Sequence, residues 1–145
     1  MKEVKFRVWD KDLSKMHICG EDVHDSINFL DNTACYYNLQ NGCGSLPDGT
    51  GTYDLMQYTG LKDKNGKEIY EGDIDSDDHN NLSVILYIKK YGAYCVVPLP
   101  LYLHEDYEEE VMYQYGYDCF FENMVPDKYL NIIGNIYENP ELLEG

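Results

Sequence analysis

The stretch "MQYTGLKDKNGKEIYEGDI", residues 56–74, decides the fold of this 145-residue chain. Its first residues alternate between two faces, as the residues of a strand do. Asn65 and Gly66 form the preferred pair for a tight turn with positive φ, and Asp63 can accept backbone amides ahead of it. The segment "EIYEGDI" then returns as a second strand, in which Gly72 is expected to make a bulge or kink. The stretch therefore predicts a β-hairpin rather than a binding site.

Alternating apolar residues predict further strands outside this hairpin. They occur in the segments "VKFRVWD" (residues 4–10), "LSVILYIKKYGAYCVVP" (82–98) and "NIIGNIY" (131–137). Residues 108–115 fit either a helical turn or an edge strand, and the last residues predict a short helix with Pro140 at its first position and Asn139 as its cap. We expect a mainly β fold of antiparallel hairpins, with little helix beyond that C-terminal turn.

Length and composition favour a soluble globular protein. The chain fits a single domain over residues 1–145, or two subdomains around the loop-rich segment 38–54. Its 15 tyrosines favour strands, because a tyrosine ring covers a half-buried sheet while its hydroxyl reaches water. No secretory signal or membrane-spanning run is visible, and the five cysteines include no CxxC pair. We expect reduced, mostly buried thiols and a cytoplasmic location.

The net charge of −16 is unevenly distributed along the chain. Residues 1–72 hold eight Lys/Arg and twelve Asp/Glu, a net charge of −4, whereas residues 73–145 hold three and fifteen, a net charge of −12. Such a surface repels phosphate backbones. Direct binding of nucleic acid is therefore not expected.

Three segments together resemble the YopX-like proteins of bacteriophages and prophages. They are "FRVWDKDLSKM" near the start, the central stretch at residues 56–74, and "IIGNIYENPELL" at the end, in that order. The resemblance frames almost the whole chain and implies a phage-encoded, mostly β protein acting in the host cytoplasm. It also implies that the antiparallel hairpins form a small barrel-like or sandwich core, with the barrel-like portion around the central stretch. It implies no activity and no catalytic or cofactor-binding residue. The chain departs from the family pattern at residues 73–78, where apolar residues usually follow the central motif.

These residues contain four aspartates, Asp73, Asp75, Asp77 and Asp78, which suggest a site for a hard cation such as calcium. Their spacing begins like a calcium-binding loop but lacks its glycine and its final glutamate. A solvated strand end is the simpler interpretation. A metal-dependent enzyme built on the aspartates stays the alternative function. His17, Cys19, His24 and Asp25 likewise lack the paired spacing of a structural zinc site, so no metal or other cofactor is predicted.

A second acidic run, Glu105, Asp106, Glu108, Glu109 and Glu110, is interleaved with tyrosines. Exposed tyrosines beside fixed acids can form a protein-binding surface, although a solvated face above an aromatic core would show the same pattern. We expect an acidic interaction surface made by this run together with Asp75, Asp77 and Asp78. The predicted function is that of a non-catalytic phage accessory protein that binds a basic host or phage protein and no membrane.

Overall fold

The computed structural model describes residues 3–144, and the chain forms two compact units that divide between Tyr58 and Thr59. The ten strands described are β1 Phe6–Asp10, β2 Lys15–Ile18, β3 Asp25–Leu30, β4 Thr33–Asn38, β5 Tyr53–Lys62, β6 Glu68–Tyr70, β7 Asp73–Ser76, β8 Leu82–Ile88, β9 Ala93–Pro98 and β10 Ile132–Asn135. Three α-helices are described, α1 Leu99–Tyr102, α2 Tyr107–Tyr115 and α3 Pro126–Tyr129. The fold is mainly β with antiparallel sheets, which confirms the predicted class.

The first unit is built around β1, which lies between β2 and the start of β5. Val8 pairs with His17 on one side and with Leu55 on the other. Its side chain is fully buried and packs with Tyr36 and Tyr53. The strands β3 and β4 form a separate two-stranded hairpin, which contributes Tyr36 to this core.

The buried carboxylate of Asp25 joins the hairpin to β2. Its Oδ1 atom lies 2.9 Å from His17 Nε2 and accepts a hydrogen bond from the Tyr36 hydroxyl, while Oδ2 accepts the Gly20 amide at 2.8 Å. Burial would raise the pKa of Asp25, but these hydrogen bonds outweigh it and hold the pKa below its usual value. His17 and Asp25, considered above as metal ligands, are therefore partners of each other.

The second unit centres on a four-stranded sheet in the order β10-β7-β8-β9. Successive side chains of a strand point to opposite faces of the sheet, and β8 and β9 carry buried apolar residues on both faces. One face carries Ile85 and Val96 in a cluster with Ile69 and Leu130. The other face is covered by α2, whose Val111 packs against Val97 and its neighbours.

The predicted turn at Asn65 and Gly66 is confirmed, and Asp63 anchors it. Gly66 has a φ of +83°. Asp63 is 2% exposed, and its Oδ1 accepts the amides of Asn65 and Lys67, both at 2.9 Å. Its Oδ2 accepts the amide of Ile132 at 2.9 Å, which attaches the turn to β10. Burial acts to raise the pKa of Asp63, but the three amide hydrogen bonds outweigh it and lower the pKa.

Asp75 corrects the predicted interaction surface, because it lies inside the protein at 5% exposure. Its Oδ1 accepts the amide of Asn131 at 2.7 Å, next to the amide that Asp63 binds. Burial raises the pKa of Asp75, and the charges of Asp77 and Asp63 add to the effect, although the Asn131 amide opposes it. Asp75 is thus a structural residue of the β7–β10 pair and does not face solvent.

The helices are the main difference from the predicted fold. Residues 107–115 form α2, which settles the choice between helix and edge strand. Three glutamates in its first turn stabilise the positive end of the helix dipole, and Gly116 ends the helix with a φ of +57°. None of the helices within residues 3–144 is long and apolar enough to cross a bilayer.

The C-terminal strand is shorter than the sequence predicts, because the Asn135 side chain turns the chain. Its Oδ1 accepts the amides of Tyr137 and Glu138 at 3.0 and 2.8 Å, which ends β10. Residues 140–143 then form a 3-10 turn rather than an α-helix. Asn139 precedes this turn without capping it, since its Oδ1 accepts the amide of Asn135 instead.

All five cysteines are free thiols in the structure. Cys35, Cys95 and Cys119 are buried, and Cys19 and Cys43 are half-buried. Burial raises the pKa of Cys95 to about 12, with a smaller contribution from the neighbouring Cys119. The thiols therefore behave as small apolar side chains, as expected.

Replacing Gly66 by valine is expected to destabilise the protein by at least about 1 kcal/mol, because a β-branched residue is strained at positive φ. No atom lies within 4 Å of the position of the added Cβ, so the cost is backbone strain and not a clash. Gly66→Asn is the matched control, since asparagine tolerates this conformation. Urea denaturation monitored by circular dichroism measures both variants. Equal losses of stability would contradict the assignment.

Asp63→Asn is expected to destabilise the protein at neutral pH, whereas Asp75→Asn is not. The first should cost about 2 kcal/mol, because its amide nitrogen would face backbone N–H groups that now meet a carboxylate. The second keeps an oxygen for the Asn131 amide and removes a buried charge, so the free energy of unfolding should stay equal or rise.

The two carboxylates also make the stability of the wild-type protein depend on pH, with signs that follow from the directions of their pKa shifts. Each Asn variant should lose the contribution of the carboxylate it replaces. Asp63, with a lowered pKa, stabilises the fold above the ordinary carboxyl range, and this stability is lost as the pH falls through the lowered value. Asp75, with a raised pKa, favours folding in acid, and this stability is lost as the pH rises through the raised value. Urea denaturation across this range checks both signs. An Asp75→Asn protein as unstable as Asp63→Asn at neutral pH would overturn the assignment.

Candidate acidic interaction surface

Asp77 and Asp78 lie in the turn between β7 and β8. Asp77 Oδ1 accepts the amides of His79 and Asn81, both at 2.8 Å, and the Asn81 amide is the main cause of the lowered pKa of Asp77. Asp78 is exposed, with one carboxylate oxygen 3.9 Å from the ammonium of Lys64. This part of the predicted surface is therefore a hairpin turn closed by Asp77, with Asp78 facing solvent.

The second acidic run lies at the start of α2 and encloses a groove of about 480 Å³. The groove is lined by Leu101, His104, Glu105, Asp106, Glu110 and Gln114. Three of the predicted acids, Glu105, Asp106 and Glu110, thus share one concave site. Asp106 and Glu110 are four residues apart, a spacing that places side chains on the same side of a helix.

The other two predicted acids lie outside the groove. Glu109 is exposed, and its carboxylate is 3.4 Å from the ammonium of Lys90. Both side chains of this pair are more than half exposed, so the pair contributes little to stability. Glu108 is half-buried. Asp77 and Asp78 do not line the groove, so the structure does not join the two acidic segments into one site.

The tyrosines around this run divide into two groups. Tyr102 and Tyr107 are half-buried, with ring centroids 5.6 Å apart, and burial raises the pKa of each. Tyr113 is 88% exposed and Tyr117 is 72% exposed, and Tyr115 between them is also exposed. Both interpretations of the sequence therefore hold in part, since some rings pack in the core while others face solvent beside the acids.

No lysine or arginine occurs between residues 91 and 127, whereas eight Asp and Glu residues do. We call Glu105, Asp106, Glu109 and Glu110 with Tyr113 and Tyr117 the α2 acidic face. Lys90, just outside this segment, pairs with Glu109, whereas Glu105, Asp106 and Glu110 have no lysine or arginine partner among residues 3–144. The face combines negative charge with aromatic area.

No group of three or more His, Cys, Asp and Glu side chains in residues 3–144 is arranged to hold a metal ion. The aspartates at residues 73–78 are directed to separate backbone amides: Asp73 accepts Tyr70, Asp75 accepts Asn131, and Asp77 accepts His79 and Asn81. Sequence reasoning missed two polar residues of the groove, His104 and Gln114. The four-residue spacing from Glu110 to Gln114 would have placed Gln114 there once α2 was taken as a helix.

Comparison with known proteins agrees with the resemblance seen in the sequence. The YopX protein family matches residues 5–144. The crystal structure of protein EF1440 from Enterococcus faecalis is 27% identical to this chain, with a TM-score of 0.55 and coverage of 99% of each chain. That of protein yopX from Bacillus subtilis is 25% identical, with a TM-score of 0.51 and coverage of 97% of this chain and 96% of that one. No curated protein matches the sequence. Since the family match spans nearly the whole sequence, the chain belongs to the YopX protein family.

Proposed function

We propose that this protein is a non-catalytic protein-binding module that captures a basic partner on its α2 acidic face. The observation that carries the proposal is the charge of the three groove acids, Glu105, Asp106 and Glu110, together with exposed tyrosines, in a segment of 37 residues, 91–127, without lysine or arginine. A structural role alone does not require tyrosines that are 88% and 72% exposed.

The two components of the face have different roles in binding. Fixed negative charge attracts a basic protein over roughly 8 Å at physiological ionic strength and speeds the encounter. Tyr113 and Tyr117 then offer a large, stiff contact area at low cost in conformational entropy. In this proposal the groove, which is lined by Glu105, Asp106 and Glu110, receives a cationic side chain of the partner.

The wider setting follows from the phage and prophage resemblance. We propose an accessory protein of phage origin that acts in the host cytoplasm on a basic protein of the host or the phage. The net charge of −16 disfavours direct contact with DNA, RNA or an anionic membrane. Mobility-shift assays with duplex and single-stranded nucleic acids should show no complex.

The alternative, a metal-dependent enzyme built on residues 73–78, finds no support in the geometry. Each of Asp73, Asp75 and Asp77 accepts a hydrogen bond from a different part of the backbone, and two of the three, Asp73 and Asp75, are at most 5% exposed. Titration calorimetry with calcium, magnesium and manganese tests the alternative directly. Binding that is lost in Asp77→Asn would revive it.

The decisive experiment neutralises the groove without changing its shape. Glu105→Gln, Asp106→Asn and Glu110→Gln together should lower the association rate of a partner captured from bacterial lysate by roughly fivefold at low salt, with the dissociation rate changed by less than about twofold. Surface plasmon resonance across a salt series measures both rates. The salt dependence of the association rate should flatten in parallel.

The matched control makes the same change in charge at three exposed acids of the first unit, Glu3→Gln, Asp12→Asn and Glu21→Gln. If the face acts locally, these changes leave the association rate near that of the wild type. An equal effect of both triple variants would show a response to net charge alone. Unchanged rates in the groove variant would remove the physical support for the proposal.

A further inference from the structure

The β3–β4 hairpin of the first unit leaves one strand edge open. The turn at Asp31 and Asn32 has φ values of +50° and +64°, and Leu30 pairs with Thr33 across it. Hydrogen-bonded and non-hydrogen-bonded pairs alternate along an antiparallel ladder. The register therefore determines which residues of β3 direct their backbone groups away from β4.

The contacts of β4 identify these residues. Tyr36 directs its amide to Ser45 Oγ at 2.8 Å and its carbonyl to the Ser45 amide at 2.9 Å, both on the side away from β3. Ile27, which lies opposite Tyr36, must therefore turn its own amide and carbonyl to the outer side of β3, and Phe29 does the same two residues later. Within residues 3–144 neither residue has a hydrogen-bond partner on that side.

The open edge lacks the devices that usually protect a strand from pairing with another chain, such as lysine, proline or a bulge. β3 reads Asp25–Leu30, and the half of it near the turn contains Phe29 at 77% exposure and Leu30 at 50%. Beside the hairpin lies a mainly apolar groove of about 530 Å³, whose lining includes Leu30, Tyr37 and Leu46. A free edge and exposed apolar side chains thus occur together.

The charge around the hairpin selects the kind of occupant. Residues 16–61 contain no lysine or arginine and six acids, among them the exposed Asp31 in the turn of the hairpin itself. The loop beside the groove is already supplied with a cation, because the ammonium of Lys11 donates to the carbonyls of Gly49 and Gly51 at 2.7 and 2.8 Å and its charge acts on Asp48. A second copy of this chain, with its net charge of −16, would bring like charges together. A cationic segment would instead be attracted to the same edge.

We propose that β3 binds an extended, basic and partly apolar segment of another protein, which adds as a strand to its outer edge. The segment pairs with the backbone of Ile27 and Phe29, rests an apolar side chain against the hairpin and directs a cationic side chain towards Asp31. This mode of recognition, by main-chain pairing with side-chain selection, is distinct from the α2 acidic face and does not depend on it.

The test uses a fluorescein-labelled peptide of about nine alternating valine and lysine residues, long enough to span β3. Fluorescence anisotropy should show saturable binding to the full chain. The valine–glutamate peptide and the valine–lysine peptide with a central proline should bind at least about tenfold more weakly, because one lacks the charge and the other cannot complete the ladder.

Proline variants on the two edges of the hairpin form a matched pair. Phe29→Pro removes an outward amide from β3, whereas Ala34→Pro removes one from the opposite edge of β4; both leave the β3–β4 ladder bonds in place. We expect affinity to fall at least about tenfold in Phe29→Pro and to change by less than about twofold in Ala34→Pro. The affinity of Phe29→Ala, which keeps the backbone amide but loses the apolar side chain, should lie between those of the two proline variants. Asp31→Asn should weaken binding about twofold and flatten its salt dependence.

Amide exchange on the wild-type protein tests the same contact without relying on a variant that folds. The peptide should slow exchange at Ile27 and Phe29 and leave Asn28 unchanged, because the Asn28 amide already faces β4. The groove variant Glu105→Gln/Asp106→Asn/Glu110→Gln should show the same protection, which separates this edge from the α2 acidic face.

Three results would overturn the proposal. They are absence of protection at Ile27 and Phe29, equal weakening by Phe29→Pro and Ala34→Pro, and equal binding of the glutamate peptide. Analytical sedimentation without peptide tests whether a second copy of the chain occupies the edge. A dimer that dissociates in the Phe29→Pro variant would assign the edge to that second copy.

Discussion

A single buried carboxylate, that of Asp63, organises the second unit of this protein. It closes the turn between β5 and β6 through two amides and holds the first amide of β10 with its other oxygen. A neutral side chain of similar size could not do both, because an amide group offers only one oxygen to three donors. The position of β10 next to β7, and with it the order of the sheet that supports α2, depends on this contact.

The acidic composition serves two purposes that the sequence does not distinguish. Asp25, Asp63 and Asp73 are ordered acceptors for backbone amides, and such hydrogen bonds favour the ionised form even where burial opposes it. Glu105, Glu109 and Glu110 accept no hydrogen bond from a backbone amide and face solvent at the N-terminal end of α2. The net charge therefore overstates the negative electrostatic potential at the surface, since some of the carboxylates lie inside the protein.

Asp75 illustrates the limit of this arrangement. Its carboxylate and that of Asp63 hold neighbouring amides of the chain, so two like charges meet in a region with little solvent. Only one of them has enough hydrogen bonds to keep its pKa low. Burying both carboxylates is unfavourable, but without them the amides of Asn131 and Ile132 would lack hydrogen-bond partners at the point where β10 begins.

The sequence by itself determined the β class, the turn at Asn65 and Gly66, the role of Asp63 as an acceptor and the family. These features rest on neighbours within a few residues, where φ preferences and side-chain alternation act without help from the rest of the chain. It could not separate helix from strand at residues 107–115, because a single buried valine, Val111, marks the inner side of α2. Nor could it show that Asp75 is buried while Asp78 is exposed, or that Glu105, Asp106 and Glu110 share a groove. Those properties were decided by tertiary structure, since burial and shared grooves depend on which distant segment, such as Asn131 or α1, packs against each residue.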